Sequence, residues 1–279
     1  MEKRFYTSAN SYSLRTILKS GFSGYKNSFY LAKQLAKRDI NAQHRQSLLG
    51  LFWIIIPVLV NSIVWITLQA TGTVRVTETT IPYPLFVIIG TTLWSLISEC
   101  VLLPITNINA NKSIITKINF DKEGLITLGL LKFGLNFLIK ISIVIMFLLF
   151  YKIAPSSSIL WFLPLLFLSV IVFVAIGILL TPIGVLYNDV SRIIPIFFQF
   201  AMYVTPVVYM VPKSGFMKKI MSFNPLSYWI SDLRNILTGY PLENTGFWMS
   251  MFAIAIGSTF LAVIVYRVSM PIITERMSA

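Results

Sequence analysis

The sequence predicts an all-α integral membrane protein with six transmembrane helices, an amphipathic interfacial helix at the N-terminus and re-entrant helices before the last span. Only 12% of its 279 residues are charged and 56% are hydrophobic, whereas a soluble domain carries about 25% charged residues. The mean hydropathy is +0.77. The apolar residues are also gathered into long runs with few charges, and about 20 such residues cross the hydrocarbon core of a bilayer.

Residues 1–48 are predicted to form a cytoplasmic arm followed by an amphipathic helix. Residues 1–25 are rich in Ser, Tyr, Asn and Lys, which is typical of a mobile arm or a surface-lying segment. In residues 26–48 apolar side chains recur at helical spacing while lysines and arginines occupy much of the remaining surface. This pattern is typical of a helix in the membrane interface. A solvated amphipathic helix is the alternative, but the position directly before an apolar run favours the interface.

Residues 49–279 are predicted to form the transmembrane domain. Its spans are expected at residues 51–70, 85–103, 125–151, 159–186, 193–211 and 246–266. Residues 112–123 form a hydrophilic link between the second and third spans. Residues 212–244 are too polar for a span yet keep apolar clusters. Because backbone at membrane depth must be satisfied internally, we expect two short re-entrant helices there, broken at Asn224–Pro225.

The distribution of lysine and arginine predicts that both termini lie in the cytoplasm. With six spans, fifteen of the 23 cations fall on the side of the termini and six on the opposite side. The remaining two, Lys132 and Lys140, fall within the third span. Such a bias marks the cytoplasmic side of a membrane protein. The same rule explains the net charge of +13 without invoking a nucleic-acid partner.

The sequence lacks the motifs of an enzyme or of a nucleotide-binding protein. It contains no G-x-x-x-x-G-K-[ST], no H-E-x-x-H and no G-x-S-x-G. One cysteine, Cys100, excludes an internal disulfide, and one histidine, His44, excludes a histidine-rich metal site. We therefore expect no catalytic residues, nucleotide site, metal or cofactor in this chain.

Ionisable residues inside a membrane are costly and point to function by default. Glu99 lies in the second span and could pair with Lys132 or Lys140 of the third, which would satisfy its charge without any role in transport. We favour this structural pairing, because a proton relay would require more ionisable groups near the middle of the membrane.

Three stretches carry recognisable patterns. They are AKRDINAQHRQSLLGLFWIIIPVL near the N-terminus, GVLYNDVSRIIPIFFQFAMYVTPVVY around the fifth predicted span, and FNPLSYWISDLRNIL before the last. Together they resemble the type-2 ABC export permeases, in the branch that exports O-antigen, capsule and teichoic acid. The residues that match are Arg38, Asp39, His44, Arg45, Ser47, Leu49, Gly50, Trp53, Pro57, Tyr187, Asp189, Val190, Ile194, Pro195, Gln199, Thr205, Pro206, Val207, Tyr209, Asn224, Pro225, Leu226 and Arg234. His44 stands where the family has tyrosine, and we interpret it as a plain substitution at the membrane surface rather than a pH switch.

The resemblance implies a homodimer of six-span subunits in a bacterial inner membrane, with a separate ATP-binding cassette subunit that binds ATP and Mg²⁺. The transported molecule would be a lipid-linked polysaccharide. The missing nucleotide motif is consistent with this division of labour.

The resemblance also implies roles for individual residues. The predicted gate-helix residues are Arg38, Asp39, His44, Arg45 and Gly50. The residues predicted to couple to the ATPase are Lys117, Asp121, Lys122, Glu123, Asp189 and Arg192. Sugar rings stack on aromatic faces, and the predicted channel-lining aromatics are Phe52, Trp53, Phe197, Phe198, Tyr203 and Tyr209. The break between the re-entrant helices is assigned to Asn224, Pro225 and Arg234.

Two alternatives stay open. A permease of the same type could export a drug or a lipid instead of a polysaccharide. A secondary carrier or a membrane-embedded glycan-transfer enzyme, working without ATP, is disfavoured by the scarcity of acids and histidines in the spans.

Overall fold

The computed structural model describes residues 14–45, 48–74 and 79–278, and every regular element within them is a helix. The α-helices are α1 (Leu14–Arg45), α2 (Phe52–Ala70), α3 (Tyr83–Ala110), α4 (Lys112–Lys117), α5 (Gly124–Phe150), α6 (Phe162–Leu186), α7 (Asn188–Ala201), α8 (Phe216–Phe223), α9 (Pro225–Leu237) and α10 (Thr245–Ser278). Two short 3₁₀ helices, Ser157–Trp161 and Met202–Val204, precede α6 and follow α7.

Within the described residues, five helices are long and apolar enough to cross a membrane. They are α2, α3, α5, α6 with its preceding 3₁₀ turn, and α10. The predicted fifth span, 193–211, is wrong in its bounds. Its helix, α7, starts at Asn188 and ends at Ala201, and these 14 residues extend only about 21 Å.

The early end of this helix has a local cause. Thr205 is extended, with φ −127° and ψ 141°, and it precedes Pro206. A residue before proline is pushed away from the helical conformation because the proline ring collides with its backbone. The chain therefore stops being helical after Val204 and continues without regular structure to α8.

Both terminal helices are longer than predicted. Helix α1 begins at Leu14 rather than near residue 26, and α10 continues to Ser278 instead of ending at 266. The two extensions pack on each other. A Cβ added at Gly21 would lie 2.7 Å from the Val263 side chain, and one at Gly24 would lie 2.7 Å from the Arg267 guanidinium. Packing between α1 and α10 therefore extends both helices into segments that contain no long hydrophobic run.

Helix α3 is the centre of the fold. It is buried along most of its length and packs against α2, α5, α6 and α9. Close approach is possible because glycines stand at the crossings. A Cβ on Gly177 of α6 would lie 2.3 Å from the Val101 carbonyl oxygen of α3. A Cβ on Gly90 of α3 would lie 2.0 Å from the Val207 carbonyl oxygen.

We predict that Gly177→Ala destabilises the protein, because the added methyl group must push α6 away from the α3 backbone. Overpacking of this kind costs about 1–3 kcal/mol. Gly257→Ala in α10 is the matched control, since a Cβ there meets no atom within 4 Å. Thermal unfolding in detergent should show a lower Tm for Gly177→Ala only, and equal behaviour of the two variants would contradict the packing described.

Candidate functional site

The long helices alternate in direction, so their links gather at two ends of the bundle. We call one of them the α4 end. It contains residues 111–123, the start of α7 and the last third of α10. There the Tyr266 hydroxyl of α10 donates to the Lys122 carbonyl at 2.7 Å. The other is the α9 end, with residues 151–156 and 205–244. There a Cβ on Gly239 would lie 3.0 Å from the Ala154 carbonyl oxygen. Both ends contain residues singled out in the sequence.

At the α4 end, the helical part of the predicted coupling segment is short. Helix α4 ends at Lys117, and the chain is extended from Ile118 to Phe120. Lys122 folds back over this turn and donates to the carbonyls of Ile115 at 3.4 Å and Ile118 at 3.2 Å. Its ammonium also lies 4.2 Å from the Phe120 ring centroid. Desolvation lowers the pKa of Lys122. Lys122 therefore stabilises the end of α4, and its predicted coupling role stays a prediction.

Glu123 points into the protein and is only 3% exposed. Its Oε1 lies 2.5 Å from Nε of Arg267 in α10. Burial raises the pKa of the Glu123 carboxyl, and the Arg267 charge opposes that shift. A Cβ on Gly24 of α1 would lie 2.7 Å from both side chains. This pair joins α1, the α4–α5 link and α10, so direct contact between Glu123 and a partner, as the sequence predicted, is contradicted by its burial.

The other predicted coupling residues are partly buried or exposed, unlike Glu123. Asp121 is partly buried and accepts a hydrogen bond from Asn27 of α1 at 3.3 Å. Lys117 is exposed. Asp189 and Arg192 are exposed in the first turns of α7, where a carboxylate interacts favourably with the helix N-terminus.

The sequence interpretation missed two features of this end. Ile118 is 52% exposed at the surface beside Lys117. In the sequence Arg267 is only one of the fifteen cations on the side of the termini, and no local motif identifies it as the partner of Glu123. Its role becomes visible only when α10 is placed beside α1.

Helix α1 is attached to the rest of the protein at several points between Gly21 and Asp39. Asp39 accepts from Arg38 at 2.7 Å and from Lys132 of α5 at 3.5 Å. Arg38 also donates to the Asn111 side chain at 3.1 Å. In the apolar face that the sequence placed in the membrane interface, Ala32, Leu35 and Ala36 are buried against protein, whereas Phe29 is 50% exposed.

Other residues of the predicted gate lie at the end of α1. The side chains of His44 and Arg45 are outside the described residues. Gly50 follows α1 with φ +48°, a left-handed conformation that suits glycine. It therefore occupies the position expected of a hinge between α1 and α2.

The predicted pairing of Glu99 is confirmed with Lys140 as its partner. The Lys140 ammonium lies 2.7 Å from the carboxylate, which also accepts a hydrogen bond from the Asn136 amide. Lys132, the other candidate, is paired with Asp39. These charges are satisfied between α3 and α5. Among the described residues, no group of three or more His, Cys, Asp and Glu side chains is arranged to hold a metal ion.

Most of the predicted aromatics lie on exposed faces of α2 and α7. The exposed ones are Phe52, Trp53, Phe197 and Tyr203. Trp65 of α2 and Tyr203 have ring centroids 6.2 Å apart, and the Tyr209 hydroxyl donates to the Tyr203 carbonyl. Phe198 is the exception.

Phe198 is buried and packs edge-on against Trp94 of α3 at 6.1 Å. The Trp94 indole donates to the Phe198 carbonyl at 3.2 Å. Phe198 is thus a packing residue of α7, and its predicted place in the channel lining is contradicted by this burial.

At the α9 end, the chain breaks between α8 and α9 at the predicted Asn224–Pro225. The Asn224 side chain accepts from Leu226 N at 3.0 Å and donates to the Val204 carbonyl at 3.0 Å. Pro225 occupies the first turn of α9, where its fixed φ favours helix initiation. Asn224 therefore caps one helix and ties it to the irregular segment after α7.

Two buried charges fix α9. Arg234 donates to the carbonyls of Pro206 at 3.0 Å and Val207 at 2.7 Å. Asp232, which the sequence interpretation missed, accepts from the Asn244 amide at 2.9 Å and from the Trp248 indole at 2.8 Å. Together they attach α9 to the irregular backbone on one side and to α10 on the other.

We predict that Glu123→Ala lowers stability by about 2–4 kcal/mol, because it removes one partner of a largely buried ion pair. Asp121→Ala is the control, since it removes one long hydrogen bond at a partly buried site and should cost about 0.5 kcal/mol. Unfolding in detergent compares the two. A Tm for Glu123→Ala equal to that of Asp121→Ala would show that the pair does not hold the α4 end together.

Comparison with known proteins adds a family and several relatives. Residues 30–238 match the model of the ABC-2 type transporter family. Two relatives from Klebsiella pneumoniae, both named O-antigen export system permease protein RfbA, are 24% and 25% identical. The alignments cover 75% and 82% of this chain and 80% and 91% of the relatives. A protein of the same name from Myxococcus xanthus is 20% identical over 80% of this chain and 85% of its own length. Since the family model covers well over half of the sequence and the helices are those of a multi-pass membrane protein, the chain belongs to the ABC-2 type transporters.

Proposed function

We propose that the chain is the membrane subunit of an exporter that moves a lipid-linked polysaccharide across a bacterial inner membrane. A separate ATP-binding cassette subunit would bind and hydrolyse ATP. The observation that carries the proposal is the pair of exposed aromatic faces, one on α2 and one on α7 with the 3₁₀ turn that follows it, which meet where Trp65 contacts Tyr203. The relatives named as O-antigen export permeases support the same cargo class.

The exposed faces favour a working unit of two copies. In α2 the buried residues are Val58 and Ser62, and in α7 they are Ile194 and Phe198. A second copy placed against these faces would enclose a passage lined by aromatic side chains. Helix α7 and the irregular chain up to Val207 would make a sixth crossing beside α3. Both termini would then lie in the cytoplasm, together with the α4 end.

An aromatic passage suits a polymer of sugars. Each hexose presents at least one face of C–H groups that can pack on an aromatic ring. Exposed rings such as Trp53, Phe197 and Tyr203 could therefore hold successive sugars without binding any one tightly. The weak, repeated contact allows a long chain to slide.

The conformational change of the ATP-binding partner would be transmitted to the permease at the α4 end. Lys117, Ile118, Asp189 and Arg192 are the exposed residues offered to an ATP-binding partner. A shift of α4 would be transmitted to α1 and α10, because the Glu123–Arg267 pair connects all three. Helix α1 would then move about Gly50 at the start of α2, where a lipid-linked substrate reaches the bundle.

The alternatives receive less support. A drug or lipid exporter would share the fold, but the named relatives favour a polysaccharide. A carrier driven by protons would need several ionisable groups near the middle of the membrane, whereas the Glu99 carboxylate is held in an ion pair with Lys140 and accepts a hydrogen bond from Asn136. Export of a drug, without export of the glycan, would contradict the proposed cargo.

We predict that deletion of the gene removes the polysaccharide from the cell surface and leaves its lipid-linked form inside the cell. Surface staining and extraction of lipid-linked glycan measure the two pools. The intact chain should restore export only with a functional ATP-binding partner. The double variant Phe197→Ala, Tyr203→Ala should restore assembly but little export, whereas Phe167→Ala, also exposed but on α6, should restore both. Transport in liposomes driven by an ion gradient alone would refute the proposal.

We predict that Lys117→Glu abolishes the stimulation of ATP hydrolysis by the permease, because it reverses charge on the exposed surface of α4. Lys213→Glu is the matched control, since it makes the same change on an exposed lysine of the α9 end. ATPase rates of the purified complexes are compared at equal permease content. Equal stimulation by both variants would remove α4 from the contact surface.

A further inference from the structure

A cleft of about 550 Å³ opens at the α9 end, between the α8–α9 corner and the first turns of α10. Its aromatic lining consists of Phe223, Tyr228 and Phe247, and Glu243 and Gly246 also line it. This volume is within the range of small-molecule sites in proteins. None of these residues belongs to the aromatic faces of α2 and α7, so the cleft is separate from the passage proposed above.

The rings of the cleft are arranged for contact with a flat apolar surface. Tyr228 and Phe247 have centroids 5.9 Å apart and planes inclined by 36°, so together they form a shallow corner. Phe223 is 87% exposed and contributes nothing to the core. Its ring is therefore available to a ligand in the cleft.

The polar groups of the cleft match a ligand with many hydroxyl groups. The first N–H groups of α10 have no acceptor within the helix, and Thr245 lines the cleft beside them. The Ser250 hydroxyl donates to the Phe247 carbonyl at 2.6 Å, so towards the cleft its oxygen can only accept a hydrogen bond. Glu243 supplies a carboxylate that accepts hydrogen bonds. An acyl chain would leave these groups unsatisfied, and a phosphate would meet the negative charge of Glu243. A neutral saccharide uses the donors, the acceptors and the rings together.

The cleft is also held rigid by the surrounding structure. Asp232 fixes both Asn244 and Trp248 at the start of α10, and the Tyr228 hydroxyl donates to the Ser222 carbonyl at 2.5 Å. Trp248 in turn packs against Phe247, with centroids 5.3 Å apart. A binding surface whose side chains are already in place loses little entropy when the ligand binds.

We propose that this cleft binds a short stretch of the exported glycan as it leaves the passage. The inference rests on the proposed function, since it assumes that a polysaccharide reaches the α9 end on the outer side of the membrane. Binding there would hinder backward sliding of the polymer between two strokes of the ATPase.

Gly246→Trp tests the proposal by filling the cleft. A Cβ at Gly246 meets no atom within 4 Å, and the same is true of Gly257 farther along α10. Gly257→Trp is therefore the matched control in the same helix. A second pair compares Phe223→Ala with Phe216→Ala, an exposed phenylalanine of the same helix α8 that is not part of the cleft.

The measurement is saturation-transfer NMR on the purified permease–ATPase complex, with oligosaccharides released by mild acid from the host's own surface polysaccharide. We expect Kd to rise about tenfold or more for Gly246→Trp and for Phe223→Ala, because an aromatic contact is lost or blocked. Gly257→Trp and Phe216→Ala should bind as the unmodified chain does.

Two results would overturn the inference. One is unchanged oligosaccharide binding in Gly246→Trp; the other is displacement of the oligosaccharide by inorganic phosphate, which would assign the cleft to an anion. Surface polysaccharide is measured in the same strains. If the unmodified chain exports but its complex binds no oligosaccharide, the cleft inference fails alone; if it does not export, the proposed function fails.

Discussion

The fold depends on one constraint: polar and charged groups inside an apolar bundle must find partners within the protein. Arg234 is the clearest case. The chain leaves helical structure before Pro206, and the freed carbonyls of Pro206 and Val207 are bound by the Arg234 guanidinium. The guanidinium also lies 3.6 Å from the Phe86 ring centroid, a favourable cation–π contact. One side chain thus allows α7 to be short and holds α9 against α3.

The same constraint turns other charges into links between helices. Glu123 and Arg267 connect the α4 end to α10, Asp39 and Lys132 connect α1 to α5, and Glu99 and Lys140 connect α3 to α5. Ion pairs of this kind are weak evidence for stability, but they can fix the alignment of neighbouring helices. They make α1, α4 and α10 one mechanical unit at the end where an ATP-binding partner would act. The aromatic faces of α2 and α7 lie outside this unit and are free to meet a second copy.

Sequence analysis identified the features that depend on composition and local chemistry. Long apolar runs located five helices, and Asn-Pro located the break between α8 and α9, because capping and proline geometry are local. It did not predict the features that depend on contacts between residues far apart in the sequence. Burial of Glu123 depends on Arg267, which is 144 residues away in the chain, and a hydropathy window cannot detect this contact. Residues 193–211 are apolar enough for a span, yet the Thr205–Pro206 step ends the helix before the run is complete.

The central claim is that two copies meet along the exposed faces of α2 and α7. The chain offers a direct measurement, because its single cysteine, Cys100, is buried and can be replaced by serine. Single cysteines at Ile63 on α2 and Phe200 on α7, both exposed, are then treated in native membranes with a short bifunctional maleimide. We expect cross-linked dimers from these positions and none from an exposed α5 position such as Leu149. Dimers from Leu149, with none from α2 or α7, would contradict this claim.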